Sequence, residues 1–274
     1  MAQTSPTFRR RRLARRLREM RDRAGLTLEE AARLLDKTRS SLGRVEKGQS
    51  RADVHLIRSM MDLYDNYDPD LVDLAREANR PGWWTKYNID DRGYIGMETE
   101  ASTVREVTLV NIPGLLQTEA YTQALMTAHR IPGHQVKNEV AARQQRQRRL
   151  LDDAFPLELT AIIDESALRK KVGGAEVMRA QLRHLVTCAD LPTATIQVLP
   201  DEAGAHTSPN GAYIILSFPE GDPSLLYVAY VTGSLHIEKP EEVAQATLMF
   251  DQLRSEALSP RGSSALIERL AGQL

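Results

Sequence analysis

The chain has 274 residues, 42% of them hydrophobic, which is enough apolar material for one large or two ordinary packed domains. Its formal net charge of -1 conceals a division: residues 1–52 hold fifteen of the 36 Lys and Arg but only six of the 37 Asp and Glu. A basic head joined to an acidic body favours a polyanion partner for the head and argues against nucleic acid for the body. The single cysteine, Cys188, excludes an internal disulfide and fits a reducing cytoplasm, and no apolar run nears the roughly 20 residues of a membrane-spanning helix.

Residues 1–7 read as disordered. From Phe8 a helix carries Arg9, Arg10, Arg11, Arg12, Arg15, Arg16 and Arg18 around an apolar line of Leu13, Leu17 and Met20, and it ends at Gly25. Thr27 and Glu30 have the spacing of a capping box, ahead of Leu28, Ala31, Ala32 and Leu35 at i, i+3, i+4 and i+7. Asp36 and Lys37 break that helix. Thr38 then caps a second short helix, with Leu42 and Val45 inward and Arg39, Ser40, Ser41 and Arg44 outward. Two short helices about a polar turn, the second presenting small and basic side chains, are what a DNA-reading helix-turn-helix requires. A helix through Val54 and Leu63 and another after Pro69 complete a five-helix, all-α unit.

Pro81-Gly82 interrupts the helical pattern and Trp83-Trp84 follows, which sets the organisation: 1–82 a helix-turn-helix domain, 83–96 a connecting segment, 97–274 an α+β domain. The tryptophans read as an anchor packing the connection onto the second domain. In that domain Val104–Ile112 is expected to be extended, PGLLQTEAY at 113–121 turns into a helix reaching about His129, and a basic helix runs from about Val136 to Leu151. Strands are expected at Leu157–Ile163, Thr195–Leu199, Ala212–Phe218 and Leu225–Val231, with one helical stretch, Ser166–Ala189, between the first two. Turn signals at Asn210-Gly211, Glu220-Gly221-Asp222 and Thr232-Gly233-Ser234 suggest an antiparallel meander. Helices at Glu241–Leu258 and after Ser263 close a mixed, mostly antiparallel sheet covered by helices.

The head resembles the Cro/C1-type (XRE) helix-turn-helix family through GLT at 25–27, EEAARLL at 29–35 and SLGRVEKG at 41–48. Matched position by position, the resemblance implies base readout by Arg39, Ser40 and Arg44, and an arginine fork fits the paired acceptors of guanine. Thr38, Ser41 and Arg9, Arg10, Arg11 and Arg12 are expected at phosphates, which position without reading sequence. The family's pairing of a helix-one arginine with the glutamate of its E-x-G ending falls on Arg21 and Glu46, read as a structural salt bridge. Leu28 departs from the polar residue usual there. Gly43 inside the recognition helix implies close approach, either to the DNA backbone or to the neighbouring helix.

The whole chain resembles the WhiJ-like regulators of actinobacteria. Trp83-Trp84, Glu98 to Ala101, IPGLLQTEAY at 112–121, AARQQRQRRLL at 141–151, DESALRKKVGG at 164–174, QL at 181–182 and IQVLP at 196–200 carry the likeness. It implies a transcription regulator with a small protein partner, in an antitoxin-like or developmental pairing. It supplies no catalytic residue.

Other groupings have plain readings. Arg143, Arg146, Arg148 and Arg149 are taken as charge partners of the acidic body. His184 and Cys188, four apart, could grip a metal but read as a packed pair, and Asp164-Glu165-Ser166 reads as a helix cap rather than a catalytic group. Glu98, Gln117, Glu119, Tyr121 and Glu165 are the candidates for an effector or partner site. No catalytic or cofactor motif is present, so neither an enzyme nor a bound cofactor or metal is expected. The expectation is a cytoplasmic, homodimeric, operator-binding regulator signalled by a small protein partner. A small-molecule sensor is the alternative, and an enzyme targeted to DNA the less favoured one.

Overall fold

The computed structural model describes residues 8–89, 93–205, 211–219 and 222–274. The disorder expected at 1–7, and the turn residues Asn210, Glu220 and Gly221, fall outside them. The chain forms two compact units, the first reaching to Thr85 and rejoined by the stretch ending at Met97, the second containing Glu98–Leu274.

The first unit is five helices: α1 (Phe8–Arg23), α2 (Leu28–Leu34), α3 (Arg39–Glu46), α4 (Val54–Leu63) and α5 (Pro69–Asn79). Their periodic apolar positions meet in one core, including Leu13, Leu17, Leu42, Ile57, Met60 and Leu71, and the thin stripes of α2 and α3 are stable only because that core receives them. Thr27 accepts from the Glu30 amide while Glu30 reaches back to the Thr27 amide at 2.9 Å, fixing the start of α2. Asp36 takes the left-handed conformation, φ 52°, that ends α2 and aims the chain into α3. Asp53 and Asp68 cap α4 and α5. Trp84 is buried, and its ring covers Gly82 so closely that a Cβ there would stand 2.3 Å away. Both tryptophans are grouped with the first unit, not with the second domain they were expected to anchor.

A short helix, α6 (Tyr94–Glu100), leads to β1 (Thr103–Thr108). Then come α7 (Glu119–Ala128), α8 (Gly133–Gln147), β2 (Glu158–Asp164), α9 (Glu165–Arg169), α10 (Ala175–Ala189), β3 (Ala194–Leu199), β4 (Tyr213–Ser217), β5 (Leu225–Tyr230), β6 (Gly233–Ile237), α11 (Pro240–Glu256) and α12 (Pro260–Gly272). The sheet order is β3-β2-β1-β4-β5-β6, parallel across β3, β2 and β1 and antiparallel from β1 onward. α11 closes one face against Val107, Ile162, Ile215 and Leu226.

Three local readings change. The stretch expected as one helix over 166–189 is two, because Gly173 and Gly174 take φ of 73° and 93° between α9 and α10. The turn placed at 232–234 lies one residue earlier, at Val231-Thr232, and Gly233 opens β6 opposite Tyr230, a strand whose glycine and serine give little β signal. The meander is β4-β5-β6 only: β3 stands at the far edge, paired in parallel with β2.

Candidate functional site

In the first unit α3 buries Leu42 and Val45 and leaves Arg39, Ser40 and Arg44 exposed along one side, while Ser41 is half-buried. Thr38 caps the helix, its hydroxyl accepting from the Ser41 amide at 3.1 Å and lying 3.1 Å from the Ser40 hydroxyl. Arg39 lies 3.6 Å from Glu29 of α2, with both side chains well exposed. A pair so wet is worth about 0–1 kcal/mol, less than a guanidinium gains from guanine, so Glu29 parks Arg39 without disabling it.

Behind this surface Arg21 grips Glu46 with both prongs of its fork, Nε to Oε1 at 2.8 Å and Nη2 to Oε2 at 2.9 Å, and donates Nη1 to the Leu26 carbonyl at 2.7 Å. Both side chains are nearly enclosed, at 9% and 5% exposure. Hydrogen bonding to Glu46 raises the Arg21 pKa despite burial. The pair therefore ties α1 to the end of α3 and sets the angle of the recognition helix. At Gly43 a Cβ would meet only Leu28, at 3.4 Å, so it is the neighbouring helix that approaches this glycine.

The arginine cluster divides. Arg9 is ion-paired with Glu77 of α5 at 2.7 Å, whereas the Arg10 main chain lies against Gly48, at the end of α3. Burial, and then the neighbouring charge of Arg51, lower the Arg10 pKa, and its enclosed Nε has no hydrogen bond. Arg51 was not singled out from sequence because it stands alone in a loop. Arg11 and Arg12 are half-buried on α1.

Of the five candidates in the second unit, Glu98, Gln117, Glu119 and Tyr121 border α8, and Glu165 lies apart. Tyr121 is fully buried and accepts from the Ile112 amide at 3.2 Å. Glu119 is exposed and bonded to Gln144 at 3.0 Å. Glu165 is buried elsewhere, paired with Arg169 and accepting from the Asp201 amide at 3.0 Å, where it steadies the turn after β3. Asp164 caps α9 by accepting from the Ser166 amide at 2.9 Å. Cys188 Sγ lies 3.4 Å from His184 Nε2 within α10, and burial pushes the thiol up to about 11.

Glu98, Gln117 and Tyr121 come together beside α8, Tyr121 sharing Ile112 with Gln117 and lying near Arg143, while Glu119 meets Gln144 of the same helix. Arg146 holds Glu98 bidentately, both contacts 2.6 Å. Gln117 donates to the Ile112 carbonyl at 2.7 Å and accepts from Arg143 Nη1 at 2.6 Å. Arg149 donates to the carbonyls of Glu98 and Thr99. Of the basic run, Arg143, Arg146 and Arg149 are thus turned inward and Arg148 is exposed. Gly114 sits against both forks, a Cβ there reaching 3.4 Å from Arg146 and 3.6 Å from Arg143. Gln181 of α10 accepts from the Thr118 amide and donates to the Leu116 carbonyl, each at 2.7 Å, so the 113–118 turn is pinned by its backbone.

Sequence reasoning passed over Glu106. It occupies the middle of β1, flanked by Ala161 of β2 and Ile214 of β4, and among the described residues its carboxylate has no hydrogen bond or ion pair. Burial first, then Glu98, push it up to about 7, while Arg146 and Arg143 pull the other way. Burial and the nearby Arg146 bring Arg143 down to about 10.

A helix-turn-helix domain matches over residues 12–75, and a domain of unknown function (DUF5753) matches over residues 91–269. No curated protein and no solved structure matches the chain. The surface of α3 accordingly belongs to a DNA-binding regulator, and none of its helices is long and apolar enough to cross a membrane among the described residues. Since the second match covers most of its length, the chain belongs to the DUF5753 family, with a helix-turn-helix domain ahead of the family domain.

Proposed function

We propose that this is a cytoplasmic, sequence-specific transcription regulator of the WhiJ-like kind, with a Cro/C1-type head that reads DNA as a homodimer and a second unit that receives a signal rather than catalysing a reaction. The exposure of Arg39, Ser40 and Arg44 on one side of a rigidly tethered α3 carries the reading. One eight-residue helix contacts too few base pairs for specificity, and two half-sites a helical turn apart supply the rest. Arg10 and Arg51, two cations crowded at the end of α3, suit a phosphate better than Arg9, which Glu77 already holds.

The test is selection of a binding site from random DNA, followed by titration of variants. Arg39→Ala or Arg44→Ala is expected to cost about 1–3 kcal/mol of preference for the selected site while leaving salt-sensitive nonspecific binding in place. Unchanged preference in both variants would refute the assignment.

For the signal, the resemblance points to a small partner protein in an antitoxin-like pairing, and co-purification from the native host would test it. A small molecule is favoured by a specific observation: Glu106 and Arg143 are opposite charges inside the second unit that no ion pair joins among the described residues.

A further inference from the structure

Arg39 opens α3, where the positive end of the helix dipole disfavours a cation, so an unrestrained guanidinium would swing away from the helix end. A carboxylate holds it there. Glu29, in the first turn of α2, has the exposed Arg33 one turn along its own helix, the usual i, i+4 partner. Among the described residues its only ion pair nevertheless crosses the polar turn to Arg39, Oε2 to Nε at 3.6 Å. The capping box does not use Glu29 either, because Glu30 supplies the reciprocal contact to Thr27.

The side of the guanidinium that Glu29 meets decides what remains for DNA. A carboxylate at Nε leaves Nη1 and Nη2, which make no hydrogen bond among the described residues, and these two donors at the end of the fork can span O6 and N7 of guanine. Arg44, farther along the same exposed side, has no carboxylate partner among the described residues. A negative charge beside a DNA-reading face also has a cost, since it approaches the phosphate backbone and weakens binding to every sequence alike. That cost is offset only where Arg39 meets its base, because an exposed guanidinium left to itself takes the nearest phosphate.

We infer that Glu29 is a positioning residue for base readout: it holds Arg39 by the Nε side, aims the end of the fork at guanine and makes a phosphate the poorer destination. The inference rests on the reading of α3 as the base-contacting helix. Selectivity at that guanine is then a property of the pair, and α2 contributes to what α3 reads.

The experiment is a double-mutant cycle on the full-length chain. Fluorescence anisotropy measures binding to the selected DNA site, to copies of it altered at each G·C pair and to unrelated DNA, and thermal melting shows that every variant folds. Glu29→Gln keeps the shape and removes the charge. It is expected to lower discrimination at one G·C pair by about threefold to tenfold. Unrelated DNA should bind about twofold to fivefold more tightly, with a salt dependence steeper by up to about one unit as Arg39 turns to phosphate. Arg39→Ala should lose preference at the same pair, and adding Glu29→Gln to it should change that preference no further. A loss at a different base pair, or one that persists without Arg39, means that Glu29 touches DNA itself and overturns the inference. Full discrimination in Glu29→Gln, where Arg39→Ala has lost it, also overturns the inference and leaves the base-readout reading standing. Full discrimination in Arg39→Ala removes that reading of Arg39 and the inference with it.

Discussion

One ion pair and one lone carboxyl show opposite ways of enclosing charge. Arg21 and Glu46 are buried but fully matched, so removing one strands the other: Arg21→Met or Glu46→Gln should cost about 3–5 kcal/mol in urea denaturation, and far less when both are replaced together by apolar residues of similar volume. Glu106 is enclosed and unmatched, and its contribution depends on pH. Its folded pKa of about 7 lies above the value in the unfolded chain. Between those values the folded protein keeps a proton that the unfolded chain gives up, so stability falls as pH rises through that window and is level above it. Glu106→Gln should remove this loss, gaining up to roughly 3 kcal/mol over the parent at pH 8 and almost nothing at pH 4. A variant that tracks the parent at both pH values would show that Glu106 ionises in the fold as freely as in water.

At the scale of elements, what the sequence discloses depends on whether local chemistry or distant topology decides. The capping residues Thr27, Glu30 and Thr38 and the stripes of α2 and α3 act within a few residues of themselves, so the helix-turn-helix and its outward side chains were legible. Five of the six strands were legible but not their order, because nothing local to β3 says that it pairs with β2 rather than β4. Glu106 was missed for the same reason. In TVREVT at 103–108 both alternating faces are mixed, and only a central position, covered by neighbouring strands, turns Glu106 from a wet surface residue into an enclosed one. The partners of the candidate effector residues were not legible, because Gln144 for Glu119, Ile112 for Tyr121 and Asp201 for Glu165 lie outside the motif or are brought to it by the fold. Two glycines separate helix from hinge. Gly43 has room for a methyl group beside Leu28, so Gly43→Ala should stabilise the first unit by about 0.5–1 kcal/mol through helix propensity alone. Gly173 has φ 73°, and a Cβ there would come 2.9 Å from Ala124 and Val177, so Gly173→Ala should lose about 1–3 kcal/mol. Thermal or urea unfolding distinguishes the two signs.

For the whole molecule, the near-zero net charge is the sum of two surfaces with different tasks. The basic head should give DNA affinity a steep dependence on salt, to which each phosphate contact contributes about one unit of slope. Arg10→Gln and Arg51→Gln together should flatten that slope by up to about two units in a salt titration, whereas Arg9→Gln, whose parent side chain already faces Glu77, should leave it unchanged. The acidic body occupies some of its own arginines, as the inward contacts of Arg146 and Arg149 illustrate. A last consequence concerns motion. Because the completely buried Gln181 side chain captures the Thr118 amide hydrogen, that hydrogen meets solvent only when α10 parts from the 113–118 turn. Its deuterium uptake therefore reports how often α10 and that turn separate, and any molecule that stabilises their contact should slow it in proportion to the stability it adds.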